Sequence, residues 1–176
     1  MLFKGGSMTR LVSVFNEDGS LTLKRLWSSR PTDFYRDKGT LLYLTKHFEV
    51  AEVYAKFLMC RVTPEEGAIL HFAVPSDLLE DHREIFGRDW QQLVFWSRGS
   101  AAEEESFSPP SHPTQFTEAP VLIGCIYGMP NARVARLGTS SDLNGQYMKL
   151  SNGGNAPQHV FPTLEIQRQL RDQCRG

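Results

Sequence analysis

The chain has 176 residues, of which 40% are hydrophobic and 22% charged, and its formal net charge is -1. That length suits one domain, burying roughly 70% of the surface an unfolded chain exposes, so a core forms without a disulfide or metal staple. The balanced charge excludes bulk attraction to nucleic-acid phosphates, and no apolar run is long enough to span a bilayer.

Residues 1–7 contain Gly5, Gly6 and Ser7, which break any secretory apolar stretch. They read as an appended tag or a disordered start, and the domain is taken as 8–176. Leu11–Phe15 reads as a strand and Asn16–Ser20 (NEDGS) as a turn. Leu21–Trp27 reads as a second strand that alternates apolar and polar residues, closing a hairpin. Ser28–Thr40 is loop-like. Leu41–Thr45 (LLYLT) is a short buried strand. Phe48–Arg61 is the clearest helix, with Val50, Val53, Tyr54, Phe57 and Leu58 at helical spacing.

Ala68–Val74 is the next strand, ended by Pro75. Ser76 is placed to cap a short helix at 77–79, and Asp89 to cap another that carries Trp90, Leu93, Val94 and Trp96. Gly99–Pro120, with Glu103 to Glu105 and four prolines, reads as a mobile surface loop or insertion. Val121–Tyr127 is a buried strand, Gln146–Leu150 another, Gly153 and Gly154 a turn, and Gln158–Phe161 a final strand. Thr163 caps a terminal helix with Leu164, Ile166 and Leu170 on its apolar face. The order predicts an α+β class in which strands dominate and helices flank them.

Common catalytic patterns are absent: there is no G-x-S-x-G, Gly-rich phosphate loop or H-E-x-x-H. The three cysteines, Cys60, Cys125 and Cys174, are odd in number and sparse, as in a reducing compartment, so an intracellular setting, cytoplasmic or nuclear, is expected. Cys125 sits in an apolar strand and reads as core rather than as a nucleophile for His159. His71 reads as a strand residue facing solvent, His47 and His82 as surface residues, and Arg98 as an ion-pair partner for a carboxylate.

The informative stretch is Gly39–Phe57, GTLLYLTKHFEVAEVYAKF. Tyr43 lies on a strand and Tyr54 on the helix that follows. Ala51 and Ala55 let that helix approach a sheet closely. Two tyrosines so placed can wall a slot for a flat ring, or can both be ordinary core residues; spacing leaves both readings open.

This segment resembles the second signature of the ADP-ribosyltransferase superfamily, a strand Y-[FL]-[TAS] followed by a helix bearing a second tyrosine. The spacing of Tyr43 and Tyr54 is similar to that of the poly-ADP-ribose polymerase branch. Leu23–Phe34 resembles the first strand and loop, with Arg25 as the match to the NAD-binding cation. Asp89–Arg98, PVLIGCIYG and QHVFPTLEIQRQL resemble a bacterial and fungal branch, so the likeness covers 23–170.

The resemblance implies a split antiparallel β-sheet core and a cleft for NAD as substrate. Arg25, Tyr43 and Gln158 then carry catalysis, and Arg25, Thr45 and Tyr54 bind NAD. The activity implied is an ADP-ribosyltransferase or NAD glycohydrolase, with a protein, a nucleic acid or water as acceptor, no membrane partner and an open oligomeric state. Gln158 stands where the superfamily usually has glutamate, and there is no His-Gly pair at the first position. A catalytically degenerate binding module on the same fold is the alternative.

Overall fold

The computed structural model describes residues 1–28, 32–34, 40–60, 66–99, 116 and 119–173. Among the described residues, six strands and six α-helices make a mixed α+β fold with two sheets: β1 (Leu2–Ser7), α1 (Met8–Val12), β2 (Leu42–Leu44), α2 (Phe48–Met59), β3 (Gly67–Phe72), α3 (Asp77–Glu80), β4 (His82–Ile85), α4 (Gly87–Arg98), β5 (Val121–Cys125), α5 (Asn131–Val134), β6 (Pro157–Phe161) and α6 (Leu164–Gln173). Strands β1 and β3 pair antiparallel, while the larger sheet runs β2-β6-β5-β4. Within it, β2–β6 and β5–β6 are antiparallel and β4–β5 is parallel, so the larger sheet is mixed rather than purely antiparallel as expected. Phe3 also pairs with Thr45, which joins the small sheet to the edge of the large one.

The larger sheet separates two apolar layers. Directly paired residues share a face, so Tyr43, Val160 and Leu122 point to one side, against Phe34, Trp90, Leu93 and Val94. Leu42, Leu44, Val121 and Phe161 belong to the other layer, with Leu11, Leu26, Ile166 and Leu170. The buried Gln167 pins α6 to the sheet ends: its amide donates to the carbonyls of Thr40 (2.6 Å) and Phe161 (2.8 Å), and its oxygen accepts from Trp27 Nε1 (2.7 Å). Thr163 caps α6 as predicted, accepting from the Ile166 amide.

Several sequence expectations change. Leu2–Ser7 is not a disordered start but strand β1, in full register with β3. Ser7 caps α1, its Oγ accepting from the Arg10 amide, so 8–12 is helical where 11–15 reads as a strand. The Asn16–Ser20 turn is present and closed by the Phe15–Leu21 bridge, but its second arm is a 3-10 turn at Leu23–Leu26. Leu23 and Leu26, three apart, are its buried pair; the 21/23 alternation mimics a strand. Residues 146–150 make only isolated bridges, Tyr127–Tyr147 and Lys149–Asn155. Asp89 lies in the first turn of α4, whose cap position is Phe86. β4 was not anticipated because His82, Arg83 and Glu84 are exposed and carry no apolar pattern.

Within 99–120, Phe116 and Ala119 are buried, so this stretch is not wholly a surface loop; most of it lies outside the described residues. Cys174 and Glu103 to Glu105 also lie outside them. Among the described residues no helix is long and apolar enough to cross a membrane.

Candidate functional site

Strand periodicity sets one wall of a cavity of about 470 Å³. Tyr43 and Thr45, two apart on and beside β2, share a face with Gln158, two residues before the Val160 that pairs with Tyr43. All three line the cavity, and Tyr54 lines it from α2. The Tyr43 hydroxyl donates to the Phe34 carbonyl (3.1 Å) and accepts from the Phe34 amide (3.2 Å), and its ring stacks on Phe34 at 6.4 Å. Thr45 Oγ1 donates to the Pro157 carbonyl (3.1 Å) and accepts from the His47 amide at the entry to α2.

α2 packs closely through Ala51 and Ala55, as their small size predicts, but not through most of the larger residues of its apolar pattern. Val50, Ala51 and Ala55 are buried, while Val53, Tyr54 and Phe57 are about half exposed or more. The reason is close backbone approach: a Cβ added at Gly5 would lie 1.9 Å from the Ala51 carbonyl oxygen, and one at Gly67 2.5 Å from that of Ala55. The small side chains therefore take the packed face, and the larger Tyr54 and Phe57 turn toward the cavity. Partial desolvation there, reinforced by the Asp33 charge, pushes the Tyr54 phenol up to about 12.

An ionic node forms part of the cavity wall. Arg98 donates through Nε (2.6 Å) and Nη2 (2.5 Å) to Asp33 Oδ1, and through Nη1 to Asn131 Oδ1. Asp33 Oδ2 accepts from Gln158 Nε2 (2.6 Å) and from the Tyr127 amide (3.2 Å). The Arg98 guanidinium also lies over the Tyr127 ring at 4.8 Å. The carboxylate holds the Gln158 carboxamide by its nitrogen, and the oxygen has no partner among the described residues. Arg98 is thus the ion-pair residue expected, and Asp33 is the partner that the sequence did not name.

Besides Arg98, the cavity has two cations from the first twelve residues. Lys4 pairs with Leu70 through the β1–β3 ladder, but its ammonium makes no ion pair or hydrogen bond among the described residues. Burial, then repulsion from Arg10, lowers its ammonium to about 8. Arg10 lines the same cavity and ties down the chain beyond it, donating through Nε to the Arg25 carbonyl (2.7 Å) and through Nη2 to that of Trp27. Arg25 itself is not among the cavity residues: its guanidinium donates to the Ser13 carbonyl (2.6 Å), because a 3-10 turn replaces the expected strand and aims the side chain along the surface.

The chain matches no protein-family model, no curated protein and no solved structure.

Chemically, the cavity combines two phenol rings, an amide oxygen held in orientation and an unpaired amine, so it suits an anionic ligand with a flat ring and hydroxyls. Asp33 is the one carboxylate among its described lining residues, and Arg98 already balances it. Cys125 is half-buried, desolvation raises its thiol, and no hydrogen bond joins it to His159 among the described residues. His71 and His82 are exposed, as expected.

Lys4 escaped the sequence reading because its strand was set aside with residues 1–7. The signal available was Leu2-Phe3-Lys4 before a Gly-Gly pair, a lysine flanked by apolar residues.

Proposed function

We propose that this cavity binds NAD and that the chain is an ADP-ribosyltransferase or NAD glycohydrolase built on an ADP-ribosyltransferase-like fold. The observation that carries the reading is that Tyr43, Thr45, Tyr54 and Gln158, singled out separately along the sequence, border one cavity together with Lys4. The meeting of two sheets at that cavity agrees with a split-sheet core, whereas the parallel β4–β5 pair departs from it.

In this reading the nicotinamide ring lies along the Tyr43 and Tyr54 walls. Lys4 and Arg10 supply the positive field for the pyrophosphate, the role first given to Arg25. The Gln158 carboxamide oxygen accepts from a ribose hydroxyl, with Asp33 fixing its direction. The ribose–nicotinamide bond breaks with its electron pair leaving on nicotinamide, and the acceptor's oxygen or nitrogen bonds the anomeric carbon and releases its proton. Positive charge builds on the ribose, as in glycoside hydrolysis. The Asp33–Gln158 contact puts carboxylate charge one group away from that carbon.

A specific observation favours a second reading, a binding module without turnover. Arg98 balances the cavity's carboxylate, and Gln158 brings no charge where a carboxylate would steady the oxocarbenium-like state, a difference of roughly 10²–10³ in rate.

The test is incubation with NAD, following nicotinamide release and the melting temperature together. Release that falls in Tyr54→Ala supports the enzyme. Tyr54 makes no hydrogen bond through its side chain among the described residues, so losing about 0.5–1.5 kcal/mol of stacking weakens NAD roughly 2–13-fold without changing stability. Saturable stabilisation without release supports the module. No shift in melting temperature at millimolar NAD overturns both.

A further inference from the structure

Lys4 offers chemistry beyond charge. Lys4 lines the cavity, its amine has no hydrogen bond or ion pair among the described residues, and the positive charge of Arg10 repels it. Arg10 spends Nε and Nη2 on backbone carbonyls, which fixes its guanidinium in the same cavity. Tyr43, Tyr54 and Phe57 add aromatic surface to the same space.

An amine with no counter-ion among the described residues, sharing a cavity with a fixed cation, meets both needs of imine chemistry: an unprotonated lone pair and a positive anchor for an anionic substrate. We propose that Lys4 is a carbonyl-reactive amine that forms an imine with an aldehyde carrying a phosphate or carboxylate group. The amine lone pair attacks the carbonyl carbon, giving a carbinolamine after proton transfer from nitrogen to oxygen. Loss of water from that adduct leaves the C=N bond. No oxidant or reductant is consumed. The burial that lowers the Lys4 ammonium to about 8 leaves roughly a tenth of it as free amine at pH 7, against well under a thousandth for an ordinary lysine. This inference stands on the cavity and the amine and does not need NAD to be the substrate.

The experiment treats the full chain at pH 7 with sub-stoichiometric pyridoxal 5′-phosphate, an aromatic aldehyde bearing a phosphate. Borohydride then reduces the imine to a stable secondary amine, and tandem mass spectrometry locates the adduct. The expected result is one dominant adduct on Lys4, at least tenfold above Lys24, Lys38, Lys46, Lys56 and Lys149, and at least tenfold weaker with pyridoxal, which lacks the phosphate. Lys4→Arg keeps the charge and loses the adduct, with an unchanged melting temperature. Lys4→Met serves as the second variant should arginine not fit.

Labelling spread over the lysines by exposure, labelling chiefly at the Met1 α-amine, or labelling undiminished in either folded variant overturns the proposal. A positive trapping result with no response to NAD leaves this inference standing and removes the NAD reading; NAD turnover without trapping does the opposite.

Discussion

Asp33 carries the densest polar contacts of the site, yet nothing beside it in the sequence marks it. Its two oxygens answer four donors from three distant segments, Arg98, Tyr127 and Gln158. Removing one partner of a buried ion pair strands the other charge and costs roughly 3–5 kcal/mol. Asp33→Asn is expected to lose about 3 kcal/mol by urea denaturation, and Arg98→Met a similar amount.

His159 gives a second prediction at this scale. It is 5% exposed, its Nδ1 has no partner among the described residues, and burial with the charges of Lys46, His82, His47 and the terminal amine lowers it to about 4. The unfolded chain, with an ordinary value near 6.5, therefore binds the extra proton first. Stability is full above about pH 6.5 and falls through the window down to pH 4, by roughly 3 kcal/mol. Urea midpoints measured across that range show the slope, and His159→Phe flattens it.

The residues most legible from sequence were those tied to a periodic element: Tyr43, Thr45, Tyr54 and Gln158 reach the cavity. Arg25 does not, because its role depended on a strand that is a 3-10 turn. Asp33 and Lys4 owe their importance to neighbours far along the chain.

Among the elements, the contact of α2 with β1 and β3 positions the most. Gly5 and Gly67 face the Ala51 and Ala55 carbonyls so closely that one added carbon displaces the helix. Gly5→Ala is expected to cost about 2 kcal/mol or more, by the overpacking of a backbone that has no room to relax. Because α2 carries Tyr54, it also weakens any ligand of the cavity; denaturation midpoints and ligand titration on the same variant check both. Ala51→Gly, which leaves the approach open, loses only roughly 1 kcal/mol of helix propensity and keeps the site.

The helix itself was plain in the sequence, and Ala51 and Ala55 marked its close approach to a sheet, but the exposure of its larger residues was not legible. A hydrophobic pattern selects Val53, Tyr54 and Phe57, whereas the partner's glycines select alanine, and the glycines lie in segments read separately. Short elements fared worse for a related reason: α1 and the Leu23–Leu26 turn bury one or two residues each, too few to separate a period of two from one of three or four.

For the whole molecule, two apolar layers on the faces of a four-stranded sheet hold the fold, and their main members, the strands near 42, 121 and 158 and the helices near 48, 90 and 166, were readable as apolar runs. The pairing order was not, since β4 joins in parallel through exposed residues. Nor was the tie between the 99–120 stretch and the core. Phe116 is 6% exposed among Phe34, Trp90 and Leu122's layer. Phe116→Ala is expected to lower stability by about 3 kcal/mol, as for other buried phenylalanines, where a dispensable insertion would show none; thermal melting distinguishes the two.

The Tyr127 amide that Asp33 accepts belongs to no regular strand, so its protection depends on the carboxylate staying seated. Deuterium uptake at this single backbone position therefore reports how often the node lets go. An occupied cleft slows that uptake, and Asp33→Asn makes it rapid while the core of β5 stays protected. One exchanging proton thus serves as a gauge of cleft opening, readable by nuclear magnetic resonance before any ligand is known.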